Sequence, residues 1–136
     1  MSYVVAYVVA AIVFLGADFI WLSRVANGFY RQHIGSLLLD QPNFAAAGAF
    51  YLLYIAGIVY FAVAPALAGG GLTTALIAGA LLGLLAYGTY DMTNLSTLKN
   101  WSVTVAVVDI AWGTFLTGLA AVVSYYVVAR LFSQSV

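Results

Sequence analysis

Four long apolar stretches, each nearly free of charge, occupy most of this 136-residue chain. They run over residues 3–22, 44–64, 72–90 and 102–129. A helix needs about 20 consecutive apolar residues to cross the hydrocarbon core of a bilayer. In lipid, only helices and closed barrels satisfy every backbone N–H and C=O. Hydrophobic residues make up 65% of the sequence and charged ones 6%, too few to cover a water-soluble domain of this size. The expectation is an all-α polytopic membrane protein, a single domain over residues 1–136 with four transmembrane helices. The fourth stretch exceeds the bilayer thickness, so it should tilt or protrude. The first lacks a basic leading segment, and Gly16-Ala17-Asp18-Phe19 is a poor cleavage site, so it reads as a retained helix.

The connections differ in kind. Residues 65–71 (PALAGGG) are short, uncharged and glycine-rich, which suits a tight hairpin between the second and third helices. Residues 91–101 (DMTNLSTLKNW) read as the loop between the third and fourth. Residues 23–43 are long for a bundle connection and carry an internal pattern. Phe29, Tyr30, Ile34, Leu37 and Leu38 share one helical face, and Arg31, Gln32, Gly35 and Ser36 the other. That predicts a short amphipathic helix lying at the interface. Pro42-Asn43 ends it, and Asn43 is placed to N-cap the second membrane helix. Arg24, Arg31 and Lys99 lie in the first and third connections, and Arg130 alone lies on the other side. By the positive-inside rule, the first and third connections are cytoplasmic and both termini periplasmic, in a multi-pass inner-membrane protein.

Ala75, Gly79 and Gly83 form a row of small residues on the third helix, of the kind that lets two backbones approach closely. Packing within the chain is the preferred use, and homodimerisation the alternative. With no cysteine, disulfides, thiolate metal sites and cysteine nucleophiles are ruled out. Zero net charge leaves no footprint for nucleic acid. No cofactor and no metal site are expected.

The acids are Asp18, Asp40, Asp91 and Asp109. Alternating crossings bring the end of helix one, the end of helix three and the start of helix four to one side of the bilayer. Asp18, Asp91 and Asp109 therefore converge, although they are far apart in sequence. Each has company at helical spacing: Trp21 follows Asp18 by three residues, Trp112 follows Asp109 by three, and Tyr87, Asp91 and Asn94 share a face. A carboxylate within the bilayer costs roughly 2.5–3.5 kcal/mol at a helix centre and less near an end. It should face the bundle interior, where it is paired, hydrogen-bonded or protonated. Lys99 or Arg24 could pair with Asp91 or Asp18 at the rim. The structural alternative is that the acids only clasp helices, accepting bonds from tryptophan, tyrosine and asparagine.

Signals for catalysis are weak. His33 sits in the amphipathic segment, where a lone histidine is more often an interfacial polar residue than a base. No serine has the setting of a nucleophile elbow. Tyr51, Tyr54 and Tyr60 on the second helix could line a pocket or serve as packing and belt residues.

Several strings are similar to a known family. Tyr90-Asp91-Met92-Thr93-Asn94, Trp101 and Asp109-Ile110-Ala111-Trp112-Gly113 resemble the domain-of-unknown-function family 2177. Asp18-Phe19-Ile20-Trp21-Leu22, Phe29-Tyr30 with Gly35, and Phe50-Tyr51-Leu52-Leu53-Tyr54 fit the same pattern. The resemblance spans almost the whole chain. It implies a small polytopic membrane protein of the bacterial inner membrane, and it supplies no catalytic roles.

The functional expectation is a small-molecule site at the cytoplasmic mouth of the bundle, lined by Asp18, Trp21, Tyr87, Asp91, Asn94, Asp109 and Trp112. Carboxylates beside aromatic faces suit a lipid, an amphiphile or a small organic cation. The protein would bind or transport that ligand, and proton exchange would fall to Asp109. Two other readings remain open. An accessory subunit of a larger membrane complex would have its aspartates consumed by internal hydrogen bonds. A lipid-modifying enzyme, metal-assisted through Mg²⁺ on the aspartates, would need a phosphate-sized pocket near Lys99 and Arg31.

Overall fold

The computed structural model describes residues 1–37 and 43–132. The chain is all-α, with helices α1 (Ser2–Trp21), α2 (Asn27–Ile34), α3 (Phe44–Ile58), α4 (Gly71–Thr97) and α5 (Val103–Phe132). Three uninterrupted helical stretches are long and apolar enough to cross a membrane: Ser2–Val25, Phe44–Thr97 and Val103–Phe132. The middle one, at 54 residues, is a hairpin rather than a rod. Tyr54 and Tyr87 lie 33 positions apart, about 50 Å along a straight helix. Their ring centroids are 6.4 Å apart. The chain loosens into two wide π-type turns, Val59–Val63 and Ala66–Gly70, and reverses at the end of the second. The reversal is made by Gly69 at φ 132° and Gly71 at φ 74°, backbone angles that glycine reaches without a Cβ clash. The glycine-rich 65–71 segment is thus the hairpin its composition suggests.

Asn43 caps α3 as expected, its side-chain oxygen accepting from the Ala46 N–H at 3.0 Å. Ser102 does the same for α5, accepting from the Val105 N–H at 3.2 Å. One boundary departs from the sequence reading. Residues 91–97, expected as loop, continue α4 to Thr97, so Asp91 and Asn94 lie on the helix and the connection shrinks to residues 98–102. The polar residues there do not break the helix, because the hydroxyls of Ser96 and Thr97 donate to the carbonyls of Met92 and Thr93 one turn back.

A short helix, α2, follows α1 through the π-type turn Leu22–Ala26. Its apolar side is turned inward. Ile34 is buried, Tyr30 and Phe29 are half-buried, and Arg31, Gln32, Gly35 and Ser36 are exposed. Leu37 is exposed, contrary to its place on the apolar face. Leu38, Asp40 and Pro42 lie outside the described residues.

α5 is the spine of the bundle, in contact with α1, α2, α3 and α4. The buried core joins Ala6, Ala10 and Phe14 of α1 to Ile55 and Ile58 of α3 and to Leu116, Ala120 and Ala121 of α5. The Ala75–Gly79–Gly83 row faces α5, so it is used within the chain. A Cβ on Gly79 would stand 2.7 Å from the Ala121 Cβ, and one on Gly83 2.9 Å from the Thr114 Cα. Beyond the hairpin turn, α4 packs on residues 59–63, whereas α3 diverges from it. The two arms therefore open into a V whose wide end holds the acids. Phe50 on the α3 arm and Tyr90 on the α4 arm stay exposed along it.

Candidate ligand site at the acidic end of the bundle

Asp18, Asp91 and Asp109 meet at one end of the bundle, on α1, α4 and α5, and their surroundings differ. Asp18 is 6% exposed. Its Oδ1 accepts the Trp112 indole N–H at 3.1 Å, and the Tyr51 hydroxyl is directed at the same carboxylate. The two Asp-x-x-Trp segments interlock: Asp18 is served by the tryptophan of the other segment, and Trp21 stacks on Trp112 with centroids 4.5 Å apart at 9°. Sequence spacing pairs each aspartate with its own tryptophan; the fold gives Asp18 the tryptophan of the other segment and Asp109 the Tyr30 hydroxyl. Trp21 Nε1 is buried near the Tyr30 hydroxyl and makes no well-formed hydrogen bond with the described residues.

Asp109 is half-buried and accepts the Tyr30 O–H at 2.8 Å. That bond ties α2 to α5. Burial, with the Asp109 charge beside it, pushes the Tyr30 hydroxyl up from its ordinary value and keeps it a donor.

Asp91 is 0% exposed, and neither of its oxygens receives a hydrogen bond from the described residues. Its carboxyl lies within reach of Asp109. Neither Lys99 nor Arg24 pairs with it, in contrast to the expectation of a rim ion pair. A buried polar group without a partner costs about 1–3 kcal/mol, and more when charged. Helix clasping therefore accounts for Asp18 and leaves Asp91 unexplained.

Two cavities adjoin these acids. The larger, about 440 Å³, opens in the V between α3 and α4. Its walls are Phe50, Tyr51, Tyr54, Tyr87 and Tyr90, with Ala47 and Ala86, and Asp109 brings a carboxylate to it. Tyr54 is fixed by a 2.8 Å hydrogen bond between its hydroxyl and Thr117 Oγ1. Tyr87 lies across Gly113 of α5, where a Cβ would collide with its ring. The smaller cavity, about 120 Å³, is lined by Tyr30, Ile34, Tyr90, Asp91, Trp101, Val105 and Asp109. Trp101 Nε1 is buried and has no hydrogen-bond partner among the described residues, and its ring meets Tyr90 edge-on at 5.8 Å.

Of the seven residues expected at the site, Tyr87, Asp91 and Asp109 line one or both cavities, and Asp18, Trp21 and Trp112 lie at the same end of the bundle without lining either. Asn94 does not line either cavity; it sits half-buried one turn beyond Asp91, beside the Tyr90 hydroxyl. Tyr51 and Tyr54 line the larger cavity, whereas Tyr60 belongs to the opposite end, with Tyr3 and Tyr7. Phe50, Tyr90 and Tyr30 escape the sequence reading as site residues. The first two sit in the strings 50–54 and 90–94 already singled out, and Tyr30 on the apolar face of α2, but no spacing rule says which neighbour such a face will meet. Neither cavity includes Arg31 or Lys99. Among the described residues, no three His, Cys, Asp or Glu side chains cluster as a metal centre would require.

A family profile described as "Predicted membrane protein (DUF2177)" matches residues 3–126. The chain belongs to that family. The DUF2177 match takes in every residue that lines the two cavities and leaves out only residues 1–2 and 127–136. Comparison with curated proteins and with solved structures finds no match. The family description supports a membrane protein.

Proposed function

We propose that this protein crosses the inner membrane four times and binds a cationic amphiphile in the aromatic cavity between α3 and α4. The observation that carries the reading is the chemistry of that cavity: five aromatic rings around one carboxylate, Asp109. Ring faces and a carboxylate both attract an organic cation, and the apolar arms of the V accommodate an acyl or alkyl tail. A lipid with a cationic headgroup fits the same description. The hairpin supplies the second and third crossings, and α2 lies along the interface. Arg24, Arg31 and Lys99 at the acidic end favour the cytoplasmic side for the site and the periplasm for both termini.

The test uses the full chain in nanodiscs of zwitterionic lipid, titrated with decyltrimethylammonium and, separately, with decyl sulfate. The cation should bind saturably and the anion should not. Asp109→Asn should weaken cation binding by about 10–100-fold, the value of roughly 1.5–3 kcal/mol for an interaction with a charged group. Equal binding of both amphiphiles, or an unchanged affinity in Asp109→Asn, would show partition into lipid alone and defeat the proposal.

A further inference from the structure

Two features of the acidic end are not used by a simple binding pocket. Asp91 is completely buried with no donor among the described residues, and Asp109 walls both cavities at once. Two ionised carboxylates cannot hydrogen-bond each other, because each is acceptor-only. With one proton between them, the O–H of Asp91 donates to Asp109, which also accepts from Tyr30. Like charges at such a separation favour that singly protonated state. The titratable groups facing the pair are Asp18 from α1, Tyr30 from α2, Tyr51 from α3, and Tyr87 and Tyr90 from α4.

We propose that the Asp91–Asp109 pair holds one exchangeable proton, and that a cation seated in the aromatic cavity displaces it, so that the protein exchanges one proton for one organic cation. This rests on the cation-binding reading above. As the cation reaches Asp109, its charge allows both carboxylates to ionise. The O–H bond of Asp91 breaks, and the proton passes to water in the smaller cavity, whose 120 Å³ holds a few molecules at about 30 Å³ each. One positive charge enters and one leaves, so the charge of the site is unchanged. Tyr30 and the buried Trp101 N–H, which line that cavity, provide hydrogen bonds for the water.

Calorimetry with decyltrimethylammonium in two buffers of different ionisation enthalpy counts the protons. The wild type should release one proton per cation bound, and its affinity should tighten by up to about tenfold per pH unit as pH rises towards the titration of the pair. Asp91→Asn should still bind the cation, with no proton release and a flat pH profile. Infrared difference spectra of the wild type, with and without the cation, give a reading that needs no variant: the C=O stretch of a protonated carboxyl should disappear on binding. Cation binding without proton release, or a persistent carboxyl band, overturns the exchange and leaves the binding site standing. Absence of any binding overturns both.

Discussion

Tyr87 forms a wall of the aromatic cavity because residue 113 on α5 has no side chain. A Cβ at that position would overlap Cγ, Cδ1 and Cδ2 of the ring, the part nearest the α4 backbone. The ring cannot escape by swinging its far end; it must leave its rotamer or push the helices apart. Overpacking of this kind costs about 1–3 kcal/mol. Alanine regains roughly 0.5–1 kcal/mol over glycine inside a helix, so Gly113→Ala should be destabilising by about 1 kcal/mol and at most about 2.5 kcal/mol, a fall of roughly fivefold or more in the folded-to-unfolded ratio. Two controls isolate the cause. Gly88 on α4 has no atom within 4 Å of an added Cβ, so Gly88→Ala should be neutral or stabilising. In a Tyr87→Ala background the collision partner is gone, so adding Gly113→Ala should be stabilising by about 0.5–1 kcal/mol. Unfolding in mixed micelles titrated with dodecyl sulfate, followed by the fluorescence of the stacked Trp21–Trp112 pair, reads all four variants. A Gly113→Ala penalty of equal size in both backgrounds would refute the contact as its source.

Other outcomes depend on single contacts. Asp18→Ala strands the Trp112 N–H and should destabilise the bundle by about 1–3 kcal/mol, while Asp18→Asn, which keeps an acceptor, should lose less; equal losses would mean that the hydrogen bond is immaterial. Tyr30→Phe removes the α2–α5 tie and should speed proteolysis within residues 23–37 while α4 and α5 stay protected; an unchanged digest would place the docking energy elsewhere. The chain has no native cysteine, so single cysteines report topology cleanly. Ser2→Cys and Ala68→Cys should label from one side of the membrane, and Ser23→Cys and Lys99→Cys from the other. Labelling of positions 68 and 99 from the same side would remove the third crossing.

The acidic end is legible in the sequence because topology alone produces it. Once the apolar stretches alternate in direction, Asp18, Asp91 and Asp109 must share a side, whatever their neighbours. The hairpin and the Asn43 cap are equally local, set by glycine and by a side-chain acceptor. Less legible are the events that depend on how helices turn about their axes. A fall in hydropathy at Asp91 suggests the end of a helix, whereas it marks only the end of the apolar surface; hydroxyl bonds to the preceding turn carry α4 on to Thr97. That Asp18 meets Trp112 rather than Trp21 depends on the rotation of α1 against α5, which the spacing of either segment alone leaves undetermined. Tyr30 belongs to an apolar face, as its spacing says, and its hydroxyl still finds a carboxylate 79 positions away.

The V between α3 and α4 sets how a ligand is counted. Its walls carry the exposed rings of Phe50 and Tyr90, so its mouth opens on the flank of the bundle. An amphiphile arriving by that route is delivered by two-dimensional diffusion within a leaflet, and occupancy follows its mole fraction among the lipids rather than its molarity in water. Diluting the vesicles with buffer should leave occupancy of a strongly partitioning ligand nearly unchanged, while diluting them with fresh lipid should empty the site.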